Sequence, residues 1–436
     1  MYLILALVSL LVVLDRRRRS AKAQEEHGLR LPPGPWKLPV IGTLHHLAGD
    51  LPHRAMRDLA RRHGPVMLLR NGERQLRKIA VTELLSARRV LSFRPVREQE
   101  VAAMLRACAA AAAASRPVEM RRRLAALVAD TTARAVLGDR CKDRDVFLRE
   151  LDRSLELSAG FNPADLWPSS WLVARLSSSV RRAEKCRDTV FGVLDGVIKE
   201  HLDRMDSGAG AGEAEDLLDV LLKIQRNGGL QIPLDMEVIN AVIFDIFGAG
   251  SETSSTTLEW AMAELIRNPK VMRRATEEVR EAFRAQGTVQ EQALGELRYL
   301  NLVIRETFRL HAPVPLLLPR ESQEPCRVLG YDVPRGTTVL VNVWARFEEA
   351  AAAADFKGVD FELLPFGAGR RMCPGMGFGL ANVELALASL LFHFDWEAPG
   401  VSDPAEFDMT EAFGITARRK ANLLLRPVLR VPVPGV

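Results

Sequence analysis

The chain has 436 residues, 47% of them hydrophobic, which suffices for two or three average domains or for one large helical domain. Its 60 basic and 55 acidic residues give a net charge of only +5, and no long basic stretch is interleaved with aromatic residues, which argues against nucleic acid as a partner. The five cysteines are scattered, odd in number and without zinc-type spacing, so they indicate a reducing compartment and no disulfide framework.

The N-terminus carries a short apolar segment followed by arginines. The thirteen uncharged, mostly apolar residues from Tyr2 to Leu14 would extend about 20 Å as a helix, against about 30 Å for a bilayer core. Arg16 to Arg19 come after this run, whereas a secretory signal carries its positive charge before it. We interpret residues 1–19 as a signal-anchor with the rest of the chain in the cytosol. The proline-rich residues 20–40 are either a stiff hinge or a generic linker.

Helical periodicity dominates the remaining chain, with extended segments from Pro313 to Ala345 and hairpin-forming strands predicted from Glu406 to Leu425. The predicted helices run over Glu83 to Ala114, Glu119 to Leu137, Phe147 to Ala159, Ser178 to Met205, Asp216 to Gln225, Pro233 to Asn268, Arg298 to His311 and Met376 to Phe394.

The helix predicted from Pro233 to Asn268 contains the sequence Phe-Gly-Ala-Gly-Ser-Glu-Thr, which ends at Thr253. A glycine in a helix interior costs about 1 kcal/mol relative to alanine, so Gly248 and Gly250 require a reason. One reason is close packing against another helix. The other is a widened helical turn that makes room for a ligand, beside the hydroxyl of Thr253 and the carboxylate of Glu252.

The next predicted helix, Arg298 to His311, places Glu306 and Arg309 three residues apart on one face. By itself this spacing usually marks a solvated pair worth a few tenths of a kcal/mol. If the pair is buried instead, removing one partner is expected to cost roughly 3–5 kcal/mol.

A glycine-rich loop, Pro365 to Gly375, directly precedes the last predicted helix. The helix N-terminus and the neighbouring arginines favour the thiolate form of Cys373, which is the metal-ligating form of cysteine. The alternative is an ordinary loop in which Cys373 is a small buried hydrophobe.

The other residues of the loop suit a flat, carboxylate-bearing ligand. Gly369 and Gly375 permit tight turns or a close approach, Phe366 can pack against a flat face, and Arg371 offers donors for a carboxylate such as a haem propionate. The whole pattern Phe-x-x-Gly-x-Arg-x-Cys-x-Gly resembles the haem-binding signature of the cytochrome P-450 family.

Two further motifs resemble the same family in the family's order. Ala249 to Thr253 is similar to the Ala-Gly-x-Glu/Asp-Thr motif of its I helix, and Glu306 to Arg309 to the Glu-x-x-Arg motif of its K helix. The resemblance runs from Leu31 onward and is closest to plant microsomal members of the 71 clan, especially cereal enzymes acting on terpenoids and other specialised metabolites. It implies a mainly α P-450 fold with a smaller β region over residues 41–436, and a stiff hinge before it.

The resemblance also implies roles for matching residues. Cys373 would bind the iron of haem b, an axial thiolate that favours O–O cleavage, and Thr253 and Glu252 would route protons to dioxygen. The remaining implied residues are the haem contacts Phe366, Gly369, Arg371, Gly375 and Arg77, the structural network Glu306, Arg309 and Arg346, and the substrate-pocket residues Ala249, Gly250, Val314, Leu316, Phe413 and Gly414.

The implied reaction is insertion of one oxygen atom of dioxygen into a hydrophobic small molecule. The electrons would come from NADPH through a membrane-bound NADPH-cytochrome P-450 reductase, and the protein would be anchored in the endoplasmic reticulum membrane with its catalytic domain facing the cytosol. A haem enzyme that isomerises or dehydrates its substrate is the alternative within enzymology, although it would not need the pair Glu252 and Thr253.

Two apparent deletions interrupt the resemblance. After Arg70 the chain lacks sheet, helix and loop segments of the family, and Glu73 stands where the family has tryptophan, while Arg77 keeps the propionate-binding arginine. After Ala345 the chain lacks the segment leading to the arginine that Arg346 would supply. A third hypothesis is therefore a truncated, catalytically impaired copy.

Overall fold

The structure is a computed structural model that describes residues 83–138, 143–158, 178–207, 215–227, 236–344, 361, 363–401, 403–412 and 414–435. These residues divide into two compact units, 316–344 and the remainder. The predicted anchor and hinge, both predicted deletions, and Arg77, Arg346 and Phe413 lie outside the described residues.

The larger unit is mainly α-helical, which confirms the fold class expected from the sequence. Its described helices are α1 (Ala87–Ser92), α2 (Arg94–Ala113), α3 (Met120–Leu137), α4 (Arg144–Ser158), α5 (Ser178–Ser207), α6 (Leu217–Asn227), α7 (Met236–Arg267), α8 (Pro269–Ala282), α9 (Arg298–Leu310) and α10 (Met376–His393).

Helix bounds differ from the predicted ones at two places. The helix predicted from Glu83 to Ala114 is divided at Phe93, because Pro95 occupies the first turn of α2 and cannot continue a helix interior. Helix α8 was not predicted. It begins directly after Asn268, with a proline in its first turn, and buries only Ala275, Thr276 and Val279.

Helix α7 passes through two hydrophobic cores. Its first half contributes Ile243 and Phe247 to a core formed with α4, α5 and α6, and Phe247 meets Phe147 at 4.6 Å between ring centroids. Its second half contributes Leu258 and Trp260 to a core formed with α2, α8, α9 and α10. The predicted Gly/Ser/Thr-rich segment therefore lies between two well-packed regions that hold the helix in place.

Helix α10 is the most apolar described helix and packs inside the larger unit. It is long and apolar enough to cross a membrane by those criteria alone, but 67% of it is buried within the protein. Burial against its neighbours identifies α10 as a core helix, and its position fixes the loop that precedes it.

An antiparallel sheet of three short strands closes one side of the larger unit. Strand β7 (Leu424–Leu429) lies between β1 (Val118–Glu119) and β6 (Phe394–Glu397), with Val118 opposite Leu425 and Phe394 opposite Leu429. The hairpin predicted from Glu406 to Leu425 is only partly right, because the segment forms one bridge between Glu411 and Arg419 before β7 pairs with more distant strands.

The smaller unit contains two strand pairs. Strand β2 (Arg320–Glu321) pairs with β5 (Thr338–Val339), and β3 (Cys326–Val328) pairs with β4 (Tyr331–Val333). The β3–β4 hairpin turns at Leu329 and Gly330, both with positive φ, as a type I′ turn requires. The strand expected to run toward Ala345 ends at Val339.

Candidate active site

Cys373 lies in a turn that ends at the start of α10. Its backbone N–H donates a hydrogen bond to the carbonyl of Phe366 at 2.8 Å, which closes the loop on itself. Gly367 and Gly369 adopt φ values of 69° and 62°, the left-handed region that glycine enters without strain. Gly375 is the N-cap of α10, so Cys373 lies at the positive end of the helix, as the sequence predicts.

The exposure of Cys373 separates it from the buried cysteines of the larger unit. Cys108 and Cys186 are 0% and 1% exposed, and burial raises the pKa of the Cys108 thiol to about 12 despite the nearby Arg123. The Cys373 side chain is exposed. The alternative of a small buried hydrophobe is therefore wrong for Cys373.

The loop has the donors and the open space that a haem requires. A cysteine at a helix N-terminus is the axial ligand type of a haem-thiolate centre. Arg371 is exposed and forms no ion pair with a carboxylate of the described residues, so its guanidinium is available for a propionate. A side chain added at Gly369 would meet no atom within 4 Å. Phe366 packs against Phe308 of α9 with ring centroids 5.1 Å apart.

The segment with Glu252 and Thr253 is continuous α-helix from Met236 to Arg267. The widened turn expected there is therefore wrong for this structure. The Thr253 hydroxyl donates to the Ala249 carbonyl at 2.7 Å, which keeps that carbonyl bonded within the helix. Ala249 is exposed and Thr253 is partly exposed, one turn apart on the same face.

Gly250 lies where α7 faces α3. A Cβ on Gly250 would lie 3.9 Å from both branches of the buried Thr132 side chain on α3. This is an ordinary van der Waals distance, so an alanine would also fit and close packing does not by itself require a glycine here.

The Glu252 carboxylate is held by one partner and leaves one oxygen without a partner. Its Oε1 accepts a hydrogen bond from the Thr416 hydroxyl at 2.6 Å. Its Oε2 is buried and has no hydrogen-bond partner among the residues that the structure describes. Thr416 lies 164 residues along the chain, so sequence spacing gave no signal for this contact.

Glu306 and Arg309 form the expected pair, with both guanidinium contacts at 2.7 Å. The Arg309 side chain is 18% exposed and that of Glu306 is 45% exposed. The pair is therefore bidentate but not buried, and the cost of 3–5 kcal/mol expected for a buried pair does not apply to it.

Two predicted pocket segments meet in the larger unit. The Ala417 N–H donates to the Pro313 carbonyl at 2.9 Å, which joins the turn containing Gly414 to the segment containing Val314. A Cβ on Gly414 would lie 2.9 Å from the Thr416 carbonyl, so only glycine fits this turn without a shift. Leu316 belongs to the smaller unit.

Sequence reasoning missed the residues that connect α7 to its surroundings. Trp260 donates through Nε1 to the Ala417 carbonyl at 2.7 Å and stacks on His311 with ring centroids 3.8 Å apart. His311 in turn contacts Glu264 at 2.7 Å. A buried tryptophan needs a partner for its N–H, which was the only available signal, and it does not name the partner.

A sequence model of the cytochrome P-450 family matches residues 71–349 and 345–425. Among curated proteins, the chain is similar to a dolabradiene monooxygenase from Zea mays, with 41% identity covering 98% of each chain. It is also similar to a desmethyl-deoxy-podophyllotoxin synthase from Sinopodophyllum hexandrum, with 42% identity over 94% of each chain. A premnaspirodiene oxygenase from Hyoscyamus muticus is 39% identical over 93% of this chain and 94% of its own.

The alignment with the maize dolabradiene monooxygenase extends over 499 positions, more than the 436 residues of this chain. Some aligned positions of that relative therefore have no counterpart here. The two family-model matches meet at residues 345–349.

The match covers most of the chain and includes the cysteine loop, the Glu252–Thr253 segment of α7 and the Glu306–Arg309 pair of α9. The exposed Cys373 thiol at the start of α10 is consistent with the haem-thiolate centre and the use of dioxygen that characterise this family. The chain is a member of the cytochrome P-450 family of oxygenases and resembles the plant members of its 71 clan.

Proposed function

We propose that this chain is an NADPH-dependent monooxygenase that hydroxylates a hydrophobic plant specialised metabolite, with a terpenoid as the first candidate. The similar proteins that act on dolabradiene and premnaspirodiene support the substrate class. The exposed Cys373 thiol, held at the N-terminal end of α10, is the observation that carries the proposal.

Different residues of the loop would contact different parts of the haem. The Cys373 sulfur would bind the iron, and the donation from Cys373 N–H to the Phe366 carbonyl keeps this sulfur at the helix N-terminus. Arg371, and Arg77 outside the described residues, would bind the propionates. Gly369 would leave open space beside the haem, whereas a Cβ on Gly375 would contact the Cys373 sulfur. When bound, the haem supplies activation of dioxygen and transfer of one oxygen atom to the substrate.

The residues of α7 handle protons and exclude bulk water. Ala249 contributes a small side chain to the exposed face of the helix, and the Thr253 hydroxyl lies one turn further along that face. The Oε2 atom of Glu252, which has no hydrogen-bond partner in the described part of the chain, is the atom that takes up a proton and passes it on. Val314, Leu316, Phe413 and Gly414 are the proposed contacts with the substrate.

The electron donor is a membrane-bound NADPH-cytochrome P-450 reductase, and the protein resides in the endoplasmic reticulum membrane. The apolar residues 2–14 followed by four arginines support an N-terminal anchor with a cytosolic catalytic domain. The proline-rich residues 20–40 then form the hinge, and residues 41–436 form the haem-binding domain.

A truncated copy with impaired catalysis is the second candidate, and the alignment lengths favour it. Aligned positions outnumber the residues of this chain, and the family matches meet at residues 345–349. We place the missing segments after Arg70 and after Ala345. Sequencing the transcript across both junctions tests the placement, because a message that carries the missing segments would show that this sequence is incomplete there.

The carbon monoxide difference spectrum of the reduced protein in yeast microsomes tests the proposed function. We expect the long-wavelength band of thiolate-ligated ferrous haem. A shorter-wavelength band or no band would favour the impaired copy. Where the long-wavelength band is present, NADPH and dioxygen consumption with a panel of terpene hydrocarbons distinguishes a monooxygenase from a haem-dependent isomerase or dehydratase, which consumes neither.

A further inference from the structure

We propose that Thr416 is a positioning residue that orients the Glu252 carboxylate for proton transfer. The inference deepens the proposed function and rests on the proton-transfer role proposed for Glu252. It assigns to the hydroxyl of Thr416 the task of holding Oε1 of Glu252, so that Oε2 remains the oxygen that exchanges protons.

The contact between Thr416 and Glu252 joins two distant parts of the larger unit. The Thr416 hydroxyl donates to Glu252 Oε1 at 2.6 Å, and Thr416 is 3% exposed. A hydrogen bond from a neutral hydroxyl to a carboxylate is charge-assisted and therefore strong for its kind. It restricts rotation of the carboxylate about its terminal side-chain bond, which is otherwise broad.

Glu252 differs from the other paired acids of α7. Glu259 pairs with Arg121 at 3.1 Å and lies 4.0 Å from Arg419, and Glu264 contacts His311 at 2.7 Å. No ion pair joins Glu252 to a cationic side chain of the described residues. The hydroxyl of Thr416 is therefore the side-chain donor that holds the Glu252 carboxylate.

The second oxygen of Glu252 is in a costly arrangement. Oε2 is buried and lacks a hydrogen-bond partner among the described residues, which is unfavourable for a polar group removed from water. Native structures satisfy most such groups, and the exceptions require an explanation, catalysis among them. A proton-exchanging oxygen, free of a permanent partner, provides that explanation.

Two hydrogen bonds of Ala417 hold the turn that contains Thr416. The Ala417 carbonyl accepts from Trp260 Nε1 at 2.7 Å, and the Ala417 N–H donates to Pro313 at 2.9 Å. Trp260 lies on the same helix as Glu252, eight residues further on. Glu252 lies on α7, and the turn with Thr416 is bonded to α7 through Trp260, so the same helix positions both the acceptor and the donor of the hydrogen bond. Glycine at position 414 allows the turn to close against the Thr416 carbonyl.

In each proton transfer Glu252 gains one proton and then loses it, so its side chain returns to its starting state. One proton binds Oε2, which makes the side chain a neutral carboxyl group, and the same proton leaves Oε2 toward the reaction centre. Thr416 keeps its own proton and donates it to Oε1 throughout. Without Thr416 the carboxylate rotates, and the proton is delivered with less efficiency while haem binding is unaffected.

The test compares Thr416→Val, which removes the hydroxyl but keeps the shape, with Thr416→Ser, which keeps the hydroxyl. We expect Thr416→Val to lower product formed per NADPH about tenfold, with peroxide as the balance and a larger solvent hydrogen isotope effect, because general acids contribute at least this much. Thr416→Ser should restore both values. Thr131→Val is the matched control, since it removes a buried hydroxyl on α3 that donates only within its own helix.

A double-mutant cycle with Glu252→Gln provides the decisive comparison. Glutamine keeps an oxygen that accepts from Thr416 but does not exchange a proton, so Glu252→Gln should raise peroxide by itself and Thr416→Val should add nothing to it. Unfolding of the full chain by urea gives a readout independent of activity. There, Thr416→Val should destabilise the protein in the wild-type background and have little effect in a Glu252→Ala background.

The outcomes separate this inference from the proposed function. If Glu252→Gln leaves peroxide formation unchanged, the proton-transfer role of Glu252 fails and the inference with it. If Glu252→Gln uncouples the reaction but Thr416→Val does not, only the inference is overturned. Equal effects of Thr416→Val and Thr131→Val on coupling, or urea effects of Thr416→Val that do not depend on Glu252, likewise overturn it.

Discussion

The sulfur of Cys373 lies 3.9 Å from the point at which a Cβ on Gly375 would stand, and Cδ1 of Leu85 lies 3.8 Å from the same point. These are ordinary van der Waals distances, so a single methyl group fits between the sulfur and Leu85. A longer side chain at position 375 would start in contact with both atoms and crowd the space beside the sulfur.

We therefore expect Gly375→Leu to weaken haem binding about tenfold, because crowding beside the sulfur costs about 1–3 kcal/mol, whereas Gly375→Ala should retain it. The measurement is the amplitude of the thiolate band in the carbon monoxide difference spectrum. Gly377→Leu is the control, since a side chain there meets no atom within 4 Å. Equal loss in both leucine variants would contradict crowding of the sulfur.

Replacement of Cys373 by alanine should abolish thiolate-ligated haem altogether, because no other cysteine of the described residues lies at the start of α10. Cys326→Ala is the matched control: it removes the other exposed cysteine of the described residues, which lies in the smaller unit on β3. The spectrum of the reduced carbon monoxide complex checks both variants. A normal thiolate band in Cys373→Ala would remove Cys373 from the axial position.

The features that the sequence predicted well are local in the chain. Three features involve only residues that are close in sequence: the loop before α10, the pair of Glu306 and Arg309, and the neighbours Glu252 and Thr253. Residue types and periodicity therefore predict them directly. Helix bounds follow for the same reason, except where Pro95 divides a predicted helix and where α8 was not predicted.

The features that it missed depend on contacts between distant segments. The Glu252–Thr416 hydrogen bond joins residues 164 positions apart, and the partners of β7 are set by packing of the whole unit. Gly250 illustrates the difference, because its sequence context fitted either a widened turn or close packing. The continuous helix α7 argues against the first, and the 3.9 Å distance from its Cβ position to Thr132 on α3 does not by itself require the second. Exposure of Glu306 is likewise a property of the fold and not of its spacing from Arg309.

The exposure of the Glu306–Arg309 pair predicts a moderate effect on stability. We expect Glu306→Gln to lower the free energy of unfolding by about 1 kcal/mol, because a partly exposed pair is screened by water even when it is bidentate. Glu281→Gln, in the more exposed pair with Arg284, should change it by less. Urea unfolding monitored by circular dichroism measures both. A loss of 3 kcal/mol or more at Glu306 would indicate a buried network instead.

The pair of His201 on α5 and Asp216 before α6 predicts a pH dependence of stability. Burial lowers the pKa of His201, but the hydrogen bond and charge of Asp216 at 2.9 Å, with the Val197 carbonyl, outweigh it and raise this pKa above its ordinary value of 6.5. A raised histidine pKa stabilises the folded state below the unfolded value, and the stabilisation is lost as pH rises through the folded pKa.

We therefore expect the free energy of unfolding to fall with rising pH above about 6.5 in the wild type, and His201→Gln to flatten this slope. His393 is the control, because its contribution to stability should change with pH in the opposite direction. Burial lowers its pKa although backbone carbonyls oppose the shift, so its contribution to stability grows as pH rises toward 6.5. Urea unfolding at a series of pH values records both slopes, and an unchanged slope in His201→Gln would exclude the pair as its source.

Glu384 on α10 predicts a pH effect that does not depend on haem. Burial, followed by the nearby charge of Glu291, raises the pKa of Glu384 to about 6 from 4.5. The folded state then holds a proton that the unfolded state releases between pH 4.5 and 6, so the ionised side chain destabilises the fold at neutral pH. We expect Glu384→Gln to raise the free energy of unfolding at pH 7 by about 2 kcal/mol. The gain should disappear below pH 4.5, where the wild-type carboxyl is protonated in both states.

Glu291→Gln should instead lower the free energy of unfolding, because it breaks the contacts of Glu291 with the buried Arg97. Equal stability of Glu384→Gln and the wild type at pH 7 would mean that the Glu384 carboxylate is solvated in the folded protein.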